Sequence, residues 1–139
     1  ATLDELIKEK KLHENIELVG QTDHNNLKFY YSSCDLYISA STFEVCPVPT
    51  LEAMACGKPV VVSALSCFTD FVDDCKNGMI FNHKYENNFN DLAVKIELLI
   101  ENKDLRETLS QNAVETSKFY SNDYISRKHI NNFKELYSD

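Results

Sequence analysis

Glu44-Val45-Cys46-Pro47-Val48-Pro49-Thr50-Leu51-Glu52-Ala53-Met54-Ala55-Cys56-Gly57-Lys58-Pro59-Val60-Val61-Val62 is the stretch that decides the fold. It opens in a loop, residues 40–49, that carries Pro47 and Pro49. A helix is expected from about Thr50 to Cys56. Pro49 stands near its first position, where a missing N–H costs nothing. Gly57 follows its end, where a left-handed cap favours glycine. Pro59 to Ser63 then holds three valines in succession. Such a run reads as a strand buried on both faces, which belongs in a parallel sheet covered by helices.

The flanks extend this pattern. Leu3, Leu6, Ile7 and Leu12 line one side of a helix over 2–12, and Asn15 to Val19 reads as a strand ending at Gly20. Residues 21–26 are polar turn formers, Leu27 to Ser33 a short helix, and Asp35 to Ser39 the next strand. Beyond the valines come a short helix over Phe68 to Asp73 and a strand over Met79 to Phe81, after Asn77-Gly78. Helices follow over 90–102, 103–119 and 122–137, the first with Leu92, Ala93, Ile96, Leu99 and Ile100 at helical spacing. Short strands alternating with helices indicate an α/β fold with a parallel sheet. The 139 residues make one domain.

Composition narrows the function classes. A net charge of −8 and a pI of about 4.9 argue against a nucleic-acid-binding face and against an electrostatic anchor on anionic lipid. A phosphorylated ligand would have to be held by backbone amides and a few local cations. No apolar run approaches the ~20 residues of a membrane span. The start, Ala1-Thr2-Leu3-Asp4, has no Met and no signal-peptide pattern, and it already reads as helix, as in a truncated chain. Five cysteines (34, 46, 56, 67 and 75) form no C-x-x-C pair, and four scattered histidines add no ligand spacing. Reduced thiols packed as small hydrophobes are expected, with no metal site.

Ligands of open α/β sheets sit beyond the carboxyl ends of the strands. Two loops qualify: the one after strand 35–39 and the turn from Gly20 to Asn26. The first holds Glu44 and leads to Glu52 in the first helical turn, eight positions on. A helix N-terminus between them offers N–H groups and a dipole to a diphosphate. A carboxylate in the first turn can accept from a ribose diol, and one in the loop can face a sugar beyond the phosphates. Singly, each has an ordinary explanation. Glu52 suits the helix dipole, and Glu44 suits a solvated loop.

The run Glu44 to Val61 resembles the signature of the retaining GT-B glycosyltransferases of the large sucrose-synthase-like family: a glutamate, seven residues, a second glutamate, then Ala-Met-Ala-x-Gly-x-Pro-Val-Val. Asn15 to Gly20, Ser33 to Ser41 and Asn77 to Phe81 look like the family's flanking strands. The resemblance covers nearly the whole chain. It implies that residues 1–139 are a partial C-terminal, nucleotide-sugar-binding half of a GT-B fold, a Rossmann-like parallel sheet layered with helices. It further implies that Glu44 approaches the donor sugar at the reacting carbon and that Glu52 holds the ribose hydroxyls. Val45, Cys46, Pro47, Val48, Thr50 and Leu51 would line the sugar and diphosphate. Gln21, Thr22 and Asp23 would meet the nucleobase. Asp23 would accept from guanine N–H groups or bond its own backbone as a turn former.

The family's usual Gly-Phe-Gly after the first glutamate is Val45-Cys46-Pro47 here, and Pro47 supplies no N–H. Its frequent Gly-Gly pair after the buried strand is Ser66-Cys67. The class needs no metal or other cofactor, and no Asp-x-Asp motif occurs. Retention follows from the resemblance, by a covalent intermediate on Glu44 or by front-face attack.

The implied partners are the nucleotide-sugar donor and an N-terminal acceptor domain of the same protein, with no nucleic acid. The implied location is cytoplasmic, with a peripheral seat at the inner membrane face open to the whole protein. On this resemblance, two strands of the family's sheet and its diphosphate-neutralising Arg and Lys would precede this chain. Lys58 lies past the far end of the helix and cannot replace them. Strand 15–19 is therefore expected to pair directly with strand 35–39 or to fray, and the chain alone to be inactive. A non-catalytic nucleotide-binding or interaction module on the same scaffold is the alternative. A flavodoxin-like receiver domain fits less well, because strand 15–19 ends in Val19-Gly20 and not in an acidic cluster.

Overall fold

The structure is a computed structural model that describes residues 2–84 and 88–137; the two ends of the 1–139 unit and residues 85–87 lie outside the described residues. Helices α1 (Leu3–Glu9) and α2 (His24–Ser33) precede strand β1 (Tyr37–Ser39). Helix α3 (Val48–Ala55), strand β2 (Val60–Ser63), helix α4 (Ser66–Thr69) and strand β3 (Met79–Phe81) follow. Helices α5 (Asn88–Glu101), α6 (Lys103–Lys118) and α7 (Asn122–Leu136) complete the chain. The sheet is parallel, in the order β1-β2-β3, with Tyr37 opposite Val60 and Val61 opposite Met79.

The valine run behaves as its composition demands. Val60, Val61 and Val62 are each fully buried. Side chains alternate across a strand, so Val60 and Val62 join Tyr31, Ala53, Met54 and Phe68 on one face. Val61 joins Met79, Phe81, Leu99 and Leu109 on the other. Helix α6 serves both faces, Leu109 on one and Ala113 on the other.

Two glycines set the geometry for different reasons. Gly57 ends α3 at φ +70°, a left-handed conformation that favours glycine. Its carbonyl accepts from the hydroxyl of Ser110, which fastens α3 to α6. At Gly78 the constraint is space: a Cβ there would lie 2.7 Å from Val60 Cγ2 and 2.8 Å from Val72 Cγ1.

Three expectations need correction. Helix α3 starts at Val48, so Pro49 stands one residue inside it. Helix α4 covers Ser66–Thr69 and not 68–73. Residues 16–20 form no strand, and Ile16, Leu18 and Val19 are 42%, 49% and 47% exposed. An extended segment becomes a strand only when a neighbouring edge satisfies its N–H and C=O groups. The segment is frayed, not paired with β1.

Candidate functional site

The loop between β1 and α3 is held at the carboxyl end of the sheet. The hydroxyl of Ser63, at the end of β2, donates to the Ser41 carbonyl at 2.6 Å. Farther along, Pro47 has φ −80° and ψ 58° and forms an inverse γ-turn, with the Val48 amide bonded to the Cys46 carbonyl at 2.9 Å. The Thr50 amide reaches the Pro47 carbonyl at 3.0 Å. Two further loop amides meet Glu44: its Oε1 accepts from Val45 N at 2.9 Å and from Cys46 N at 3.2 Å.

The amide count expected at this helix start is therefore reduced. Pro47 and Pro49 have no N–H, and Val48 and Thr50 are bonded internally. Val45 and Cys46 are taken up by Glu44. Val45 and Val48 are exposed (76% and 47%), and Cys46 is exposed as well. Thr50 is 1% exposed, so its side chain faces inward, and Leu51 is half-buried against the core.

Glu52 lies on the other flank of α3. Its Oε2 accepts from the Tyr31 hydroxyl at 3.1 Å. Tyr37 feels the charge of both glutamates. Its ring meets that of Tyr31 edge-on at 6.0 Å. Burial raises the Tyr37 pKa. The Thr50 side chain opposes this, and the charges of Glu44 and Glu52 both add to the rise. Both carboxylates therefore act on one phenol. The Glu44 charge also reaches Cys67, whose thiol pKa is raised first by burial and then by that charge.

A cleft of about 390 Å³ opens between α2 and α3 beside Glu52. Its α2 wall carries His24, Asn25, Leu27, Lys28 and Tyr31. Gln21 and Thr22 lead into that wall along the chain. Asp23 is the N-cap of α2, its Oδ1 accepting from Asn25 N at 2.8 Å. At the opposite end, Lys58 Nζ donates to the Ser32 carbonyl at 2.9 Å, away from the helix start. Among the described residues, no three His, Cys, Asp or Glu side chains gather as a metal ion would require. No helix there is long and apolar enough to cross a membrane.

The sequence profile described as Glycosyl transferases group 1 matches residues 1–116. The chain belongs to that family. Its relatives include the alpha-monoglucosyldiacylglycerol synthase of Acholeplasma laidlawii, 31% identical over 125 residues, which are 90% of this chain and 30% of that protein. The sucrose-phosphate synthase of Thermosynechococcus elongatus superposes with a TM-score of 0.86 at 26% identity, over 98% of this chain and 34% of its own. Anabaena HepE, in its complex with UDP-glucose, does so with a TM-score of 0.75 at 26% identity, over 83% of this chain and 30% of its own. The chain thus spans about a third of the length of these relatives. The layered parallel sheet expected from sequence is the one found in these glycosyltransferase structures.

In this group 1 chain, the α2 wall of the cleft escaped the sequence reading. That reading began α2 at Leu27 and took residues 21–26 as a turn. An Asp23 N-cap places His24, Lys28 and Tyr31 at i, i+4 and i+7, one face of one helix. The capping preference of Asp was the available signal.

Proposed function

We propose that this chain is the nucleotide-sugar-binding part of a hexosyltransferase. The full-length protein would transfer a sugar from a nucleoside-diphosphate sugar to an acceptor, with retention of anomeric configuration. The observation that carries the reading is Glu52 in the wall of the cleft between α2 and α3, with Glu44 seated on the amides of Val45 and Cys46 in the loop that leads into α3. In this reading Glu52 accepts from the ribose hydroxyls, and Gln21, Thr22 and Asp23 lie toward the base. Glu44 faces the sugar near its anomeric carbon. The amides of Val45 and Cys46 take a donor oxygen once Glu44 leaves them, with Pro47 and Val48 beside them.

Family membership supports transfer chemistry, and the UDP-glucose bound by HepE supports a uridine donor. Asp23 caps α2 through Oδ1 alone. In the front-face route the bond from the anomeric carbon to phosphate breaks as the acceptor oxygen bonds on the same face. The departing phosphate oxygen takes the acceptor's proton. The route calls on no metal. Cations and acceptor contacts would come from elsewhere in the full-length protein, so this chain alone is expected to be inactive. The reading carries a cytoplasmic location, with the inner membrane face open to the full-length protein.

The test is calorimetric titration of the full-length protein with UDP, GDP and ADP, beside its Glu52→Ala variant. Saturable UDP binding that weakens at least five-fold in the variant is expected, since hydrogen bonds to a charged group are worth about 1.5–3 kcal/mol. Nucleotide affinity indifferent to Glu52 would refute the assignment.

A further inference from the structure

Tyr31 belongs to the core by its ring and to the cleft by its hydroxyl. It is 9% exposed and packs in the cluster of Ala53, Met54, Val60 and Phe68. Its ring is further fixed edge-on by Tyr37. The hydroxyl emerges in the cleft wall and donates to Glu52 Oε2, across 21 residues of sequence. No other donor to the Glu52 side chain occurs among the described residues. A glutamate on a helix flank that borders a cleft samples several rotamers, and fixing one costs side-chain entropy. A donor anchored in the core removes much of that cost before a ligand arrives.

We infer that Tyr31 is a positioning residue for the donor site: its hydroxyl holds Glu52 by Oε2 and leaves Oε1 turned to accept from a ribose hydroxyl. The inference rests on the reading of Glu52 given above. Tyr31 stays a donor at working pH, because burial first, and then the Glu52 hydrogen bond and charge, push its pKa well above the ordinary tyrosine value.

The experiment titrates the full-length protein and its Tyr31→Phe, Glu52→Ala and double variants with UDP and with 2′,3′-dideoxyuridine diphosphate, which lacks both ribose hydroxyls. Phenylalanine keeps the ring packing, and a cooperative melt checks it. Tyr31→Phe should weaken UDP about five-fold, the equivalent of one ordinary hydrogen bond. It should leave the dideoxy nucleotide within two-fold and add nothing in the Glu52→Ala background. A Tyr31→Phe protein that binds UDP as tightly as the parent, while Glu52→Ala binds it weakly, overturns the inference and spares the reading of Glu52. Equal loss for both nucleotides, or a loss that persists without Glu52, overturns it too, because Tyr31 would then act only through packing. UDP affinity unchanged in Glu52→Ala removes both.

Discussion

The Oε1 atom of Glu44 accepts a 2.9 Å hydrogen bond from the amide of Val45, the residue that follows it, and a second from Cys46 at 3.2 Å. A carboxylate on two adjacent amides occupies the place an incoming oxyanion would take. The side chain expected at the reacting sugar is thus also the occupant of the amides beside it. Glu44→Ala should separate these roles. UDP affinity is expected to rise two- to five-fold, since one competing hydrogen-bond acceptor is removed at about 1 kcal/mol. Sugar transfer by the full-length protein should fall by about 10²-fold or more, the usual size of losing an electrostatic contact at a reacting centre. Calorimetry and a transfer assay read the two effects. Weaker UDP binding in the variant would mean that Glu44 assists the nucleotide.

Gly78 has no room for a methyl group. Its neighbours Val60 and Val72 are buried, and both would meet the new Cβ below 3.0 Å. Gly78→Ala is expected to destabilise the fold by about 1–3 kcal/mol, the range for overpacking a tight core. Urea unfolding measures it, and a variant within about 0.5 kcal/mol of the parent would mean that β2 and β3 shift freely.

Asn77 ties the turn before β3 to α6. Its Nδ2 donates to the Phe71 carbonyl and to Thr116 Oγ1, each at 2.9 Å, while its Oδ1 accepts from Asp73 N at 2.7 Å. The residue is 7% exposed, so Asn77→Ala strands buried groups and should cost about 2–4 kcal/mol. Thr116→Val removes one of these bonds and should cost about 1 kcal/mol. Chemical denaturation of both variants orders them, and a larger loss at Thr116 would contradict the arrangement.

The two phenols at the site predict an alkaline weakness. Tyr31 and Tyr37 both titrate above the ordinary value of 10.0 in the folded protein, chiefly because they are buried. Folding therefore favours their protonated forms. Their contribution is full below pH 10 and is lost as pH rises through the folded values. Tyr31→Phe should flatten the fall in stability above pH 10, as read by melting temperature against pH. An unchanged slope would show that Tyr31 ionises as freely folded as unfolded.

The parallel sheet, the buried valine strand, the glycine cap of α3 and the two-glutamate pattern were legible in the sequence. Three valines in a row have one economical home, and Gly57 announces its left-handed φ by having no Cβ. The start of α2 was less legible, because Asp23 serves equally as a turn former and as an N-cap, and local pattern does not separate the two. Strand 15–19 was misread for a related reason. Its alternation is real, but an extended segment becomes a strand through a partner edge, and no local pattern encodes that edge.

Chain order alone determined that Glu44 and Glu52 stand eight residues apart around a helix start, and that the layers around them are α/β. Tertiary structure decided which groups meet: Tyr31 reaches Glu52 from another helix, Tyr37 lies under the charge of both glutamates, and Thr50 turns inward. Periodicity and caps are written in neighbouring residues, whereas these contacts depend on how α2 and α3 pack over one face of the sheet.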